Sequence, residues 1–472
     1  LTRESIKRFI KNGTVPSFVA TKHHNMTIRT KIFAIASAVA ALFASIAAFG
    51  QETKPKGELL DKFLSGDDNS FCAELSPENY PSALTPAALL TGKRINTKYL
   101  ERYRTWQGIP AIEITKGGRM WAAWYGGPVQ EGKPGNFIVL STSADGGKTW
   151  SPPVAVYDAT LFYGAYTWDP TLWKDKDGNL FFSVTRTMGA SKEGKNWTSW
   201  IFKAENPENP FTKWSPSFFG GYGVSLNKAS FLSNGDILRP VDVRLSDGKT
   251  SNVEWYISKD AGKSYAPYSV LMTDGDKEKN GFLCEHMLIE RKDGTLWMLV
   301  RTRYGIAQAD SKDGGKTWEN FRPFTDKFGI NTRFYLGKLK SGNLILVAND
   351  HPKARSNMTV FLSEDEGKTW PYKLAIDERE RVSYPDATQA QDGFIYIAYD
   401  HGRYEPGEQD ILFAKLTEAD IKAGKLVNPA SALKQMINTL TGTGGGTLKK
   451  GESSAKEKTY QEAINAMKHK NK

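Results

Sequence analysis

Cysteine is almost missing from this chain: Cys72 and Cys284 are the only two in 472 residues. They can form one disulfide at most, so a disulfide scaffold is excluded, and no CxxC or Cys/His spacing points to structural zinc. The net charge of +11 invites a nucleic-acid reading, but that excess is missing from the body of the chain. Residues 1–50 carry a net +6 and residues 430–472 a net +5, which leaves residues 51–429 neutral. A neutral body offers no basic groove for nucleic acid. Long helical periodicity is also scarce. What is present instead, 39% hydrophobic residues and 43 glycines, is enough to bury a sizeable core.

The two ends differ in composition from the middle. Met26 opens a segment with Arg29 and Lys31, an uncharged run from Ile32 to Ala48, and the small-residue site Ala48-Phe49-Gly50 ahead of Gln51. This is the layout of a cleaved signal peptide, with an uncleaved membrane anchor as the alternative. It predicts a secreted or periplasmic protein with no membrane span after cleavage, and a start at Met26. Gly442 to Thr447 followed by a Lys-rich segment reads as a flexible joint and a solvated tail. The organisation expected is a signal region over 1–50, a lead-in over 51–84, a folded body over 85–430 and a Gly/Lys-rich tail over 431–472.

Within the body, short Val/Ile/Trp/Tyr/Phe-rich runs alternate with turn signals, so it reads as nearly all β. A tight turn precedes each such run: Gly117-Gly118, Asp177-Gly178, Asn234-Gly235, Asp293-Gly294, Ser341-Gly342 and Asp392-Gly393. Their spacings of 60, 57, 59, 48 and 51 residues match a four-stranded β unit, and six units make a closed propeller. A second repeat keeps the same period. Ser143-Ala-Asp-Gly-Gly-Lys-Thr-Trp150 recurs with variations from Ser258, Ser311 and Ser363, with a degenerate copy between Lys203 and Trp214. In this pattern the Asp accepts hydrogen bonds from its own turn, the Gly supplies positive φ, and the aromatic residue packs between sheets.

In a four-stranded blade these turns and boxes share one face, so the opposite face is read nine residues before each turn glycine. That register holds Ile109, Asp169, Leu226, Glu285, Arg333 and Tyr384. Seven residues after the same glycines stand Tyr125, Thr185, Asp242, Arg301, Asn349 and Asp400, all polar. A solvated channel mouth would also collect such residues, but this mixture of Tyr, carboxylates and Arg suits a glycosidase that handles an anionic sugar.

The four boxes at this period resemble the Asp box of the sialidase superfamily, a six-bladed β-propeller family, over roughly residues 100–418. The segment from Glu285 through Asp293-Gly294 to Arg301 is similar to the one holding the Glu beside the nucleophile and one Arg of the carboxylate-binding triad. Arg355, ahead of the box at Ser363, resembles another triad Arg, and Val382-Ser-Tyr-Pro-Asp386 resembles the segment of the nucleophilic Tyr, here Tyr384. Where the family has Arg-Ile-Pro, this chain has Gln107-Gly108-Ile109-Pro110. Arg333 is therefore expected either to reach the carboxylate in place of the missing Arg or to bind another acidic group, and an Arg restored at Gly108 is expected to raise activity on a sialoside. Gln107 and Asp400 complete the expected substrate-binding set. The proton donor is expected to be Glu131, in the loop that matches the family, or Asp169, in the ring register.

The resemblance implies an exo-glycosidase that retains anomeric configuration through a tyrosyl intermediate, with sialic acid as the sugar, a glycan partner, and no cofactor or metal. A carboxylate at the reacting carbon repels an anionic nucleophile, which favours a neutral phenol with Glu285 as its base. Two rivals stand beside this reading: a glycosidase for another acidic sugar such as a uronate, and a non-catalytic glycan-binding propeller.

Overall fold

In a computed structural model of the chain, residues 86–440 are described, apart from 128–130, 134, 160–164, 189–196, 245–250, 272–281, 326–330 and 406–407. The signal region, the lead-in up to residue 85 and the segment from 441 onward lie outside the described residues. No helix among the described residues is long and apolar enough to cross a membrane.

Six antiparallel four-stranded sheets follow one another along the chain as the blades of a β-propeller, spanning residues 90–158, 165–222, 230–271, 284–323, 335–380 and 382–439. The first sheet gains a fifth strand, Leu90–Thr91, on its outer edge. The sixth is completed by Ala432–Thr439, paired with Asp410–Leu416. This corrects the boundary expected at residue 430. The Lys434 to Thr439 stretch has little apolar content, as suits an outermost strand with one face in solvent.

The innermost strands are Trp106–Ile114, Ala165–Lys174, Ser230–Phe231, Cys284–Glu290, Tyr335–Lys338 and Val382–Gln389. Since the first and sixth blades each use contiguous chain, the ring closes by contact between them rather than by a shared strand. Asp386 of blade six accepts the backbone N–H of Ile112 at 2.8 Å, and Gln107 donates to the carbonyl of Gln409 at 2.8 Å. Partly buried ion pairs tie further blades together. Glu113 of blade one meets Lys174 of blade two at 2.9 Å, and Lys228, ahead of blade three, lies 3.0 Å from Asp386. Burial opposes the charge on Glu113, but Lys228 and Lys174 hold its carboxyl below the usual range.

The Asp boxes form self-bonded turns. Ser143 donates to Asp145 at 2.8 Å and accepts the N–H of Gly147 at 3.0 Å, and the N–H of Thr149 returns to Asp145 at 3.0 Å. Each box aromatic packs on the preceding blade: Trp318 stacks on Trp255 at 5.8 Å, Trp150 meets Phe413 at 6.2 Å, and Trp214 of the degenerate copy meets Trp121 at 5.8 Å. Boxes and glycine turns share a face, because the N–H of Lys292 beside the blade-four turn donates to Glu366 of the blade-five box at 2.8 Å. Trp255 is fully buried, so its truncation to Ala would cost about 3 to 5 kcal/mol.

Candidate active site

On the opposite face, four of the six nine-before positions fall on bulges. Strand pairing shifts between Gly108 and Ala111, Trp168 and Thr171, Cys284 and Met287, and Ser383 and Asp386. At three of these bulges a non-glycine residue takes positive φ: Ile109 at 59°, Glu285 at 54° and Tyr384 at 55°. Left-handed backbone costs roughly 1 to 2 kcal/mol per residue, and a bulge re-aims the side chain it carries. The surrounding structure must hold it there.

Three of the seven-after residues supply part of that hold, since they bond across blade boundaries. Asp242 accepts the N–H of Glu285 at 2.8 Å, Asp400 accepts the N–H of Ile109 at 2.8 Å, and Asn349 donates to the carbonyl of Val382 at 2.9 Å. Their polarity therefore reflects neither a solvated mouth nor, for Asp400, contact with a sugar. Asp400 is fully buried and also accepts from Ser383 at 2.6 Å. This corrects its expected place in the substrate-binding set. Gln107 is corrected in the same way: both ends of its amide are used inside the fold, by Gln409 and by Arg104 and Trp124.

Three expected residues meet at one point. The Tyr384 hydroxyl donates to Glu285 Oε1 at 3.1 Å, and Arg301 Nη1 donates to the Tyr384 oxygen at 3.0 Å and to Glu285 Oε1 at 2.7 Å. Burial first, and then the Glu285 charge, pushes the Tyr384 phenol well above its ordinary value. Burial would push Glu285 up too, but Arg301, backed by Arg333 and the Tyr384 hydroxyl, holds its carboxyl below the usual range. A protonated phenol thus faces an ionised carboxylate across one hydrogen bond, with a guanidinium on both. Such a cluster can move a proton from phenol to carboxylate while stabilising charge on the phenol oxygen.

Arg355 lies over the Tyr384 ring, its guanidinium 5.4 Å from the centroid, and lines a cavity of about 250 Å³ together with Ser383, Arg403 and Tyr404. Arg333 does not join this group. It is buried, with Nε donating to Asn227 at 2.9 Å, Nη2 donating to the carbonyl of Leu226 at 3.2 Å and Asp386 at 3.7 Å. The compensating reach expected of it is corrected: its register position gives the face, but the bulk of its fork is spent on the neighbouring blade and the closing strand.

The two acid candidates part company. Glu131 is 20% exposed, accepts from the Tyr404 hydroxyl at 2.8 Å, and is among the charges that raise the Tyr384 phenol. Asp169 is buried, and its charge acts on Tyr125, whose hydroxyl accepts the N–H of Gly132 at 2.9 Å beneath the Glu131 turn.

One residue escaped the sequence reading. Arg403 is 3% exposed, and its guanidinium lies 4.3 Å from the Tyr384 ring centroid, nearer than Arg355. Two signals for it were in the sequence: its place three residues after Asp400, and the bare Gly108 where the family carries Arg.

With this geometry in place, residues 118–397 match the family model described as a BNR repeat-like domain. The chain belongs to this family, within the sialidase superfamily. Relatives of this superfamily member include Sialidase B of Streptococcus pneumoniae, 25% identical over 59% of this chain and 44% of that one. A sialidase of Bacteroides fragilis is 25% identical over 56% of this chain and 54% of its own length. The chain thus spans about half the length of the curated relatives it matches. Among solved structures, Hadza microbial sialidase Hz136 shares the fold with a TM-score of 0.55 at 18% identity, covering 67% of this chain and 66% of its own.

Proposed function

We propose that this superfamily member is a retaining exo-glycosidase that releases a terminal acidic sugar, sialic acid, from glycans through Tyr384. The observation that carries the reading is the shared hydrogen bonding of Tyr384, Glu285 and Arg301, with the guanidinium of Arg355 over the same ring. A carboxylate-bearing anomeric centre repels an anionic attacker, and a buried neutral phenol with an ionised carboxylate 3.1 Å away avoids that repulsion.

In the first step the Tyr384 oxygen bonds to the anomeric carbon and its proton passes to Glu285. The bond from that carbon to the leaving oxygen breaks, and Glu131 protonates the leaving group. In the second step water attacks the same carbon, its proton passes to Glu131, the carbon–phenol bond breaks and Glu285 returns the proton to Tyr384. Two inversions give net retention. Arg301 stabilises the phenol oxygen while it carries charge, and Arg301 and Arg355 together hold the sugar carboxylate by charge-assisted hydrogen bonds.

The reading also carries the secreted or periplasmic location expected from the segment after Met26, for which sequencing of the mature N-terminus will give a start near Gln51. The test of function is turnover of fluorogenic sialosides and uronides by the purified protein, with proton NMR of the first-formed product. Sialoside hydrolysis with retained configuration is expected. Turnover of uronides alone would overturn the choice of sugar, and turnover of neither would overturn the enzyme.

A further inference from the structure

We propose that Arg403 supplies the third carboxylate-binding guanidinium of this site, entering from blade six through the space that Gly108 leaves open in blade one. The proposal rests on the acidic-sugar reading above and adds the residue that completes its specificity.

The first observation is steric. A Cβ on Gly108 would stand 2.3 Å from Cδ and 2.9 Å from Cγ of Arg403, and 3.1 Å from Asp400 Oδ2. The backbone at Gly108 does not have positive φ, so no conformational demand reserves the position for glycine. Its missing side chain is the path of Arg403. A residue with a side chain at 108 and Arg403 in its present place exclude each other.

The second observation is an unmet demand. Arg403 is buried, yet its Nε and Nη1 have no hydrogen-bond partner among the described residues. The two nearest carboxylates, Glu131 and Asp400, stand off at 3.6 and 3.7 Å, close enough to keep the guanidinium charged but not to receive its N–H groups. Burial opposes that charge; Asp400 and Glu131 more than offset it. A buried guanidinium with unfilled donors is costly unless an anion takes them.

The third observation is direction. The Arg403 guanidinium lies 4.3 Å from the Tyr384 ring centroid and 5.1 Å from that of Tyr404, a pair of aromatic rings that restricts its plane. Arg403 and Arg355 line the same cavity of about 250 Å³. Arg301 stands on the hydroxyl of the same tyrosine at 3.0 Å. Tyr384 thus has guanidinium groups from blades four, five and six around it and, among the described residues, none from blade one.

The test measures binding, by calorimetry, of an unsaturated planar-ring analogue of sialic acid and of the same compound with its carboxylate converted to the primary amide. Both are applied to the wild type, Arg403→Ala, Gly108→Arg and the double variant Gly108→Arg/Arg403→Ala. Because each variant is its own control through the ratio of acid to amide affinity, partial misfolding does not mimic the result. Wild type will prefer the acid. Arg403→Ala will lose about ten- to a hundredfold of that preference, the loss expected for one charge-assisted contact. Contrary to the gain expected from the sequence, Gly108→Arg alone will weaken both compounds by crowding Arg403, and the double variant will regain acid preference. An unchanged ratio in Arg403→Ala, or a double variant no better than Arg403→Ala, overturns the proposal while leaving an acid-preferring wild type and the reading beneath it intact. A wild type indifferent to the carboxylate overturns that reading and this proposal together.

Discussion

The carboxylate of Asp242 in blade three accepts the backbone N–H of Glu285 in blade four at 2.8 Å, and its other oxygen lies 3.1 Å from Nδ1 of the buried His286. Asp242 thus fixes a bulge whose central residue is held at a φ of 54°. Removing it leaves a buried N–H without an acceptor. Asp242→Ala is expected to lower the unfolding free energy by about 1 to 3 kcal/mol in chemical denaturation, with Asp242→Asn losing less because one acceptor oxygen remains. An Ala variant as stable as wild type would contradict the latch.

Acid stability provides a second check, at the Asp boxes. The Asp260 carboxyl is held at about 2, chiefly by the Ser264 hydroxyl, and Asp313 at about 2, chiefly by the N–H and hydroxyl of Thr317. These folded values lie below the ordinary Asp value of about 3.9, so the stabilisation is complete above it and is lost as the pH falls toward 2. Thermal unfolding midpoints will fall across that window, and an Asp260→Asn/Asp313→Asn variant will have a lower midpoint at neutral pH and a shallower acid decline. A variant that follows the wild-type profile would remove the boxes from the account.

Glu131 and Asp169 are separated by leaving group. On an alkyl glycoside, whose leaving oxygen needs a proton, Glu131→Gln will lose about a hundredfold or more in kcat, and on an activated aryl glycoside much less. Asp169→Asn will lower both substrates alike, because Asp169 acts on Tyr125 beneath the loop. The opposite pattern would transfer the acid role to Asp169.

Much of this was legible because a propeller repeats. Six glycine turns set the period, and counting back nine residues from them found Glu285 and Tyr384, which the bulges aim together. The same counting placed Arg333 on the right face but could not show that Asn227 and Leu226 bind its guanidinium. Polar residues seven after the turns were legible as a pattern, while their use depends on a neighbour in the next blade, as with Asp400 and Ile109. Arg403 was hardest to see. It meets Gly108 only because the last blade closes against the first, a contact between residues nearly 300 positions apart.

By the proposed mechanism, Tyr384 becomes covalently bound to the sugar. This is tested by the intact mass of the protein quenched during reaction with an acidic glycosyl fluoride that carries a second fluorine beside the anomeric carbon to slow release. Wild type is expected to gain the mass of one glycosyl group, with the modification mapping to the peptide containing Tyr384, and Tyr384→Phe to gain none while still binding the planar-ring analogue. An adduct that persists in Tyr384→Phe, or that maps to another residue of wild type, would contradict the account.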